Sequence, residues 1–166
     1  MGFRNKIGAG LMLLLLLSAC YTFKASSIDP SLETFTVASF AEQAANARPG
    51  LGITLSEALR DRILRETRLN SIPENGDITF EGEIVDYSIA PISPQSGETT
   101  SREQLSVSVN VRYSDRKNPA RSWEQTFKAV ENYDSNENFS AVEDQLLESI
   151  STQLVDAIFR KAFENW

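Results

Sequence analysis

The stretch "QLSVSVNVRYSD", residues 104–115, alternates apolar and polar side chains over almost its whole length. A period of two is typical of a β-strand with one buried face and one face that meets water or a partner. The side chains predicted to point inward are Leu105, Val107, Val109, Val111 and Tyr113. Those predicted to point outward are Ser106, Ser108, Asn110 and Arg112.

Three neighbouring segments extend the predicted sheet. The segment "DITFEGEIVDYSIAPI", residues 77–92, places Ile78, Phe80, Gly82 and Ile84 on one face, and we expect it to bend near Pro91. The segment "SWEQTFKAV", residues 122–130, follows the first stretch after a short turn, so the two predict a hairpin. We expect its two large aromatic side chains to be core residues. The segment "TFTVASF", residues 34–40, is rich in β-branched and aromatic residues and predicts the first strand.

Two helices are indicated by apolar residues at helical spacing behind capping boxes. Thr54 and Glu57 predict the start of a helix that covers about residues 55–67. Ser140 and Glu143 predict the start of a second helix of roughly twenty residues. Its apolar stripe runs to the C-terminus through Val142, Leu146, Ile150, Leu154, Ala157, Ile158 and Phe163.

The order of these elements is β-α-β-β-β-α, which predicts the α+β class. Each strand has one apolar face, so we expect two helices packed on one face of a four-stranded mixed or antiparallel sheet. Residues 33–166 form a single domain in this interpretation.

The N-terminal segment is typical of a bacterial lipoprotein. Arg4 and Lys6 precede an apolar stretch that is about half the roughly 20 residues that a membrane-spanning helix needs. The stretch "LMLLLLLSAC", residues 11–20, ends in a four-residue lipobox, Leu17 to Cys20. We therefore expect residues 1–19 to be a signal peptide, Cys20 to be lipidated, and residues 20–32 to form a tether. The alternative is an ordinary secretory signal in which Cys20 is only a small apolar residue.

The composition argues against several functions. The chain has no histidine and a single cysteine, so the commonest general base and the commonest metal ligands are missing. We find no Gly-rich phosphate loop and no nucleophile elbow, and we expect no enzymatic activity, no cofactor and no metal. Removal of residues 1–19 shifts the formal net charge from −7 to −9, which argues against nucleic-acid binding.

Several segments resemble LptE, the lipopolysaccharide assembly lipoprotein family, in its Bacteroidota-like form. They are "CYTFKASSID", "LSEALRDRILRETRL", "GDITFEGEIVDYSIAPI", "LSVSVNVRY", "SWEQTF" and "VEDQLLESISTQLVDAIFRKAFENW". The resemblance implies two helices on a four-stranded sheet. It also implies a lipoprotein of the inner leaflet of the outer membrane that plugs the LptD β-barrel, helps the barrel assemble and assists delivery of lipopolysaccharide to the cell surface.

The partners that follow from the resemblance are an LptD-like outer-membrane β-barrel and lipopolysaccharide, with the membrane reached through the N-terminal lipid. Tyr21 stands where many inner-membrane lipoproteins carry Asp, so we expect the outer membrane, on its periplasmic side. The alternative function is a periplasm-facing lipoprotein adaptor of another secretion or transport machine.

No binding residue is transferred from the family, because its basic contact residues do not align with particular positions here. The local candidates are basic residues around the predicted hairpin: Arg112, Arg116, Lys117, Arg121 and Lys128. The alternative is a solvated hairpin whose positive charges guard a sheet edge against aggregation.

Overall fold

The computed structural model describes residues 28–92 and 101–164. Two helices and six strands follow one another in the order β1, β2, α1, β3, β4, β5, β6, α2. Their bounds are Thr34–Val37 for β1, Ala41–Glu42 for β2, Leu51–Glu66 for α1, Asn70–Ser71 for β3, Ile78–Ile92 for β4, Arg102–Asp115 for β5, Trp123–Asp134 for β6 and Phe139–Phe163 for α2.

The three long strands form an antiparallel meander in which β5 is central. β5 pairs with β4 from Ile78↔Asp115 to Ile92↔Arg102, and with β6 from Arg102↔Asp134 to Tyr113↔Trp123. The five side chains of β5 predicted to point inward are all buried, which confirms the interpretation of the alternating stretch. The hairpin of β5 and β6 is also confirmed, and it closes through a single 3-10 turn at Pro119–Arg121.

The sheet is mixed and has six strands, so the prediction of four strands was wrong. The path of paired strands is β3-β1-β4-β5-β6, and β2 pairs with β4 beside β1. β1, β2 and β3 make only parallel pairs. β2 and β3 have two residues each, and two residues are too few to show a period in the sequence.

The predicted first strand, residues 34–40, is a strand only over β1, and residues 38–40 lie between β1 and β2, where Phe40 packs into the core. Its ring lies over Gly82 of β4, where an added Cβ would come within 2.6 Å of the ring carbons. Phe40 is buried, so the chain leaves the sheet edge to place this ring in the core and then returns as β2.

α1 begins at Leu51, one turn earlier than predicted, so the capping box at Thr54 was wrong. Gly50, at φ 90°, precedes the helix in the left-handed region that glycine tolerates. The free N–H groups of Gly50 and Gly52 donate to Glu42 Oε1 at 2.9 and 3.0 Å. A carboxylate from β2 therefore satisfies the start of α1, and no local sequence pattern reports a cap from another element.

α2 is longer than predicted, with 25 residues, and Asn138 caps it in place of Ser140. The Asn138 side chain accepts a hydrogen bond from the Ser140 backbone N–H at 3.0 Å. Of the predicted apolar stripe, five members are buried and Val142 and Ala157 are partly buried. The helix itself is therefore confirmed, and only its cap differs.

Both helices pack against the sheet and against each other, α1 on β1 to β4 and α2 on β5 and β6. Phe163 of α2 lies 6.1 Å from Phe80 of β4 between ring centroids, which places the core between the helix layer and the sheet. β4 stays paired with β5 through Pro91 and Ile92, so the pairing is not interrupted where a bend was predicted. The irregularity is a bulge at Val85, where the register with β5 shifts.

Candidate functional site

The outer face of the sheet, opposite the helices, is formed by alternate residues of β4, β5 and β6. Asn110 and Arg112 lie on it, as the alternation predicts. Ser106 and Ser108 also alternate with the core residues, but they are only 6% and 8% exposed. Their side chains are small. Ser108, for example, pairs with two longer side chains on the neighbouring strands, Asp86 of β4 and Lys128 of β6.

A charged row crosses the outer face near its middle. Arg112 Nη1 lies 3.7 Å from Glu81 Oε2, and Arg112 Nε lies 3.2 Å from Glu124 Oε2. Asn110 Nδ2 donates to Glu124 Oε1 at 2.8 Å. The hydrogen bonds from Asn110 and then from Arg112 lower the pKa of the Glu124 carboxyl. Arg112 is therefore compensated by two carboxylates on neighbouring strands.

The turn between β5 and β6 is organised by Asp115, which is 3% exposed. Its Oδ1 accepts from the backbone N–H groups of Lys117 at 2.9 Å and Asn118 at 2.7 Å. This side-chain turn orders the segment that carries Arg116, Lys117 and Arg121. The burial of Asp115 is thus satisfied by the backbone of the turn that it shapes.

Asp77, just before β4, joins this turn to the first strand. Its Oδ2 accepts from the backbone N–H groups of Glu33 at 2.9 Å and Thr34 at 3.0 Å, and it lies 3.2 Å from Lys117 Nζ. The hydrogen bond from Glu33 is the main reason that the pKa of Asp77 falls to about 2. Arg116 adds a further link by donating to the carbonyl of Asn75.

The five basic candidates therefore do not form one patch. Arg116, Lys117 and Arg121 lie together at the turn, and Arg112 and Lys128 lie apart on the outer face. Lys117 is paired with Asp77, and Arg121 Nη1 lies 3.4 Å from Asp29 Oδ2. Several of these side chains have structural partners, and their role in ligand contact stays a prediction.

The acidic segment of residues 131–148 also has internal partners. Glu143 Oε1 accepts from the Tyr87 hydroxyl at 2.7 Å, and Glu131 Oε1 accepts from Gln153 Nε2 at 2.6 Å. The Tyr133 hydroxyl donates to Glu103 on β5, and burial with this contact raises the pKa of Tyr133 to about 12. The first two bonds tie β4 and β6 to α2, and the third joins β6 to β5.

A groove of about 570 Å³ between the two helices is a feature that the sequence analysis missed. Apolar residues on its floor are flanked by charged residues on both helices. Arg48 pairs with Asp144, and Arg62 Nη1 lies 3.0 Å from Asp156 Oδ1. The groove is lined by residues of both helices, and the apolar stripe of one helix does not report the space between two.

Metal-binding and membrane-spanning features were sought in the part of the chain that the structure describes. Within residues 28–92 and 101–164, no group of three or more acidic, histidine or cysteine side chains could hold a metal ion. In the same ranges, neither helix has the length and hydropathy of a membrane-spanning segment. Cys20 and the predicted signal peptide lie outside the described residues.

Comparison with known proteins gives a family match and a set of similar folds. The model of a family described as LptE, lipopolysaccharide-assembly, matches residues 32–162. Comparison with curated proteins finds no match.

A minor lipoprotein from Acinetobacter baumannii is similar with a TM-score of 0.52 and 12% identity, over 78% of this chain and 91% of that one. A protein from Xanthomonas campestris is similar with the same TM-score and identity, over 80% of this chain and 88% of that one. At such low identity these structures show a shared fold alone.

Proposed function

This chain belongs to the LptE family of lipopolysaccharide-assembly proteins, and from that premise we propose that it is an outer-membrane lipoprotein that plugs an LptD-type β-barrel. In this role it helps the barrel to assemble and assists the passage of lipopolysaccharide to the cell surface. The family match carries the proposal, because it covers residues 32–162 and so nearly the whole domain.

The outer face of the sheet supports the proposed place in a barrel lumen. Large barrels have polar, water-filled interiors, so a plug must present hydrogen-bonding groups and paired charges to the wall. The outer face carries such groups in Asn110, Thr126 and the charged row through Arg112. The opposite face of the sheet is covered by the two helices and is not available for this contact.

The lipid anchor at Cys20 completes the proposal. A single acyl chain gives only marginal anchoring, but two or more chains hold a protein firmly at a membrane. An anchored domain has a high effective concentration near a barrel in the same membrane. Arg112, Arg116, Lys117, Arg121 and Lys128 are the proposed contacts for a ligand or partner, and the proposed function requires no catalysis.

Site-specific photocrosslinking tests which surface meets the barrel. A photoreactive amino acid at Thr126 reports on the outer face, and the same amino acid at Thr152 is a matched control on the exposed side of α2. We expect crosslinks from position 126 to an LptD-like barrel in intact cells, and few from position 152. Crosslinks to the barrel from position 152 alone would reverse the proposed orientation.

Depletion of the protein tests the function as a whole. We expect both the folded LptD-like barrel and surface lipopolysaccharide to decline when the protein is depleted. If both stay at wild-type levels while another envelope pathway fails, the adaptor function replaces the plug.

A further inference from the structure

The two ends of the elongated sheet differ in what they carry. We call the tether end the residues 29–33, 65–77, 115–122 and 160–164, which surround the turn between β5 and β6. We call the distal end the residues 86–92, 101–106 and 130–148, where β6 leads into α2. β4 has 15 residues, so the two ends lie about 50 Å apart along the strands.

Three basic side chains hold the base of the N-terminal tether at the tether end. Arg68 Nη2 donates to the Asp29 carbonyl at 3.0 Å, and Arg121 Nη1 lies 3.4 Å from Asp29 Oδ2. Lys117 Nζ donates to the Ser31 carbonyl. The point where the chain enters the domain is therefore set by these contacts.

Chain length limits how far the tether end can lie from a lipid on Cys20. The eight Cα–Cα steps from Cys20 to Ile28 span at most about 29 Å when fully extended. This reach is shorter than the domain. A lipid on Cys20 therefore keeps the tether end close to the headgroups, while the distal end can lie far from them.

The charges are distributed unequally between the ends. The tether end carries equal numbers of basic and acidic residues: Arg65, Arg68, Arg116, Lys117, Arg121, Arg160 and Lys161 against Asp29, Glu33, Glu66, Glu74, Asp77, Asp115 and Glu164. The distal end carries Arg102 against Asp86, Glu103, Glu131, Asp134, Glu137, Glu143, Asp144 and Glu148. An anionic lipid surface repels the distal end because this end is acidic. It does not repel the tether end, where basic and acidic residues are equal in number.

The acidic groups nearest the turn are directed into the protein, whereas its basic groups reach the surface. Asp115 is buried, and its carboxylate accepts a hydrogen bond from the Lys117 backbone N–H. The Asp77 carboxylate accepts from the backbone N–H groups of Glu33 and Thr34. Arg116 and Lys117 are exposed beside them. The exposed charged groups of the turn are therefore basic, although Lys117 also pairs with Asp77 and the tether end as a whole is balanced.

An aromatic side chain packs next to this turn. Trp123 is partly buried, stacks on Tyr113 at 5.4 Å and has Lys161 Nζ 6.0 Å from its ring centroid. Its indole nitrogen is buried without a hydrogen-bond partner among the described residues. Trp123 therefore packs against the core below the turn, and Lys161 adds a basic group beside its ring.

We propose that the tether end is a membrane-contact surface, on which Arg116 and Lys117 bind anionic phospholipid headgroups and so orient the domain with its acidic distal end away from the leaflet. This inference rests on the lipid anchor of the proposed function. The contact explains why the basic residues of a strongly acidic domain gather where the tether enters. The headgroup contact would hold the domain in one orientation relative to a barrel.

Two matched cysteine variants of the lipidated full chain test the orientation. N118C places a fluorophore in the turn of the tether end, and N136C places it in an exposed turn of the distal end. The labelled proteins are reconstituted in vesicles of phosphatidylethanolamine and phosphatidylglycerol that carry a quencher on the headgroups. We expect strong quenching at position 118 and weak quenching at position 136.

Charge removal and vesicle composition identify the cause. R116Q/K117Q should lower the salt-sensitive part of the affinity for the anionic vesicles by roughly tenfold or more. R102Q at the distal end should leave this affinity unchanged. Circular dichroism checks that each variant is folded. In pure phosphatidylcholine vesicles, the difference in quenching between the labels at positions 118 and 136 should be smaller.

The outcomes separate this inference from the proposed function. Co-flotation with phosphatidylcholine vesicles reports the lipid anchor alone, so a chain that fails to float contradicts the anchor and, with it, this inference. A chain that floats but shows equal quenching at both positions, or the same quenching in R116Q/K117Q, overturns the membrane-contact surface and leaves the anchor intact.

Discussion

At the scale of single residues, Asp77 shows how one carboxylate can join distant segments. It accepts from two backbone N–H groups at the start of β1 and pairs with Lys117 in the turn between β5 and β6. D77N keeps the shape of the side chain but removes the charge. We expect a loss of about 1–2 kcal/mol of unfolding free energy at neutral pH, measured by urea denaturation.

The pH dependence of this loss has a defined sign. The pKa of Asp77 falls from 3.8 to about 2 in the folded chain. A lowered pKa adds stability above the unfolded value, and this stability is lost as the pH falls through the folded value. The difference between the natural chain and D77N should therefore shrink between about pH 4 and pH 2. A difference that stays constant over this range would contradict the role of the charge.

Gly82 is the second residue whose identity is set by a contact. An added Cβ would lie 2.6 Å from the ring of Phe40, which is buried and cannot move freely. We expect G82A to destabilise the fold by about 1–3 kcal/mol through overpacking. S88A, at an exposed position of the same strand, serves as the control for the added strand alanine and should have little effect on urea denaturation.

At the scale of elements, the cap of α2 distinguishes the structure from the local sequence pattern. Asn138 accepts from the Ser140 N–H, so N138A should cost about 1 kcal/mol of unfolding free energy. S140A removes the residue that the capping box predicted and should change the unfolding free energy little. Equal losses in both variants would restore Ser140 as part of the cap.

At the scale of the whole molecule, the maturation of the chain is the decisive test of the anchor. We expect the native protein to begin at Cys20 with lipid attached and residues 1–19 removed. Intact mass spectrometry of the protein from membranes measures both features at once. An unmodified chain that still begins at Met1 would contradict the lipoprotein, whereas C20A should release the protein from the membrane.

The alternating and helical periods of the sequence determined the long elements of this protein. In β5 the apolar residues follow a period of two, and burial follows it from residue 109 to residue 115, whereas burial in α2 follows a period of about 3.6. Each of these segments is long enough to show its period. The class, the two helices on one face and the hairpin therefore followed from local pattern. The family followed from the sequence as well, because the match covers residues 32–162.

The tertiary structure alone decided the short strands, the caps and the grouping of charges. β2 and β3 exist only because β4 and β1 offer them backbone partners, and a two-residue strand has no period to reveal. Glu42 of β2 caps the start of α1. The first strand ends before Phe40, whose ring packs on Gly82. Arg68, Lys117 and Arg121 contact Asp29 or Ser31 because segments far apart in sequence end at the same end of the sheet. Such long-range proximity depends on the folded chain.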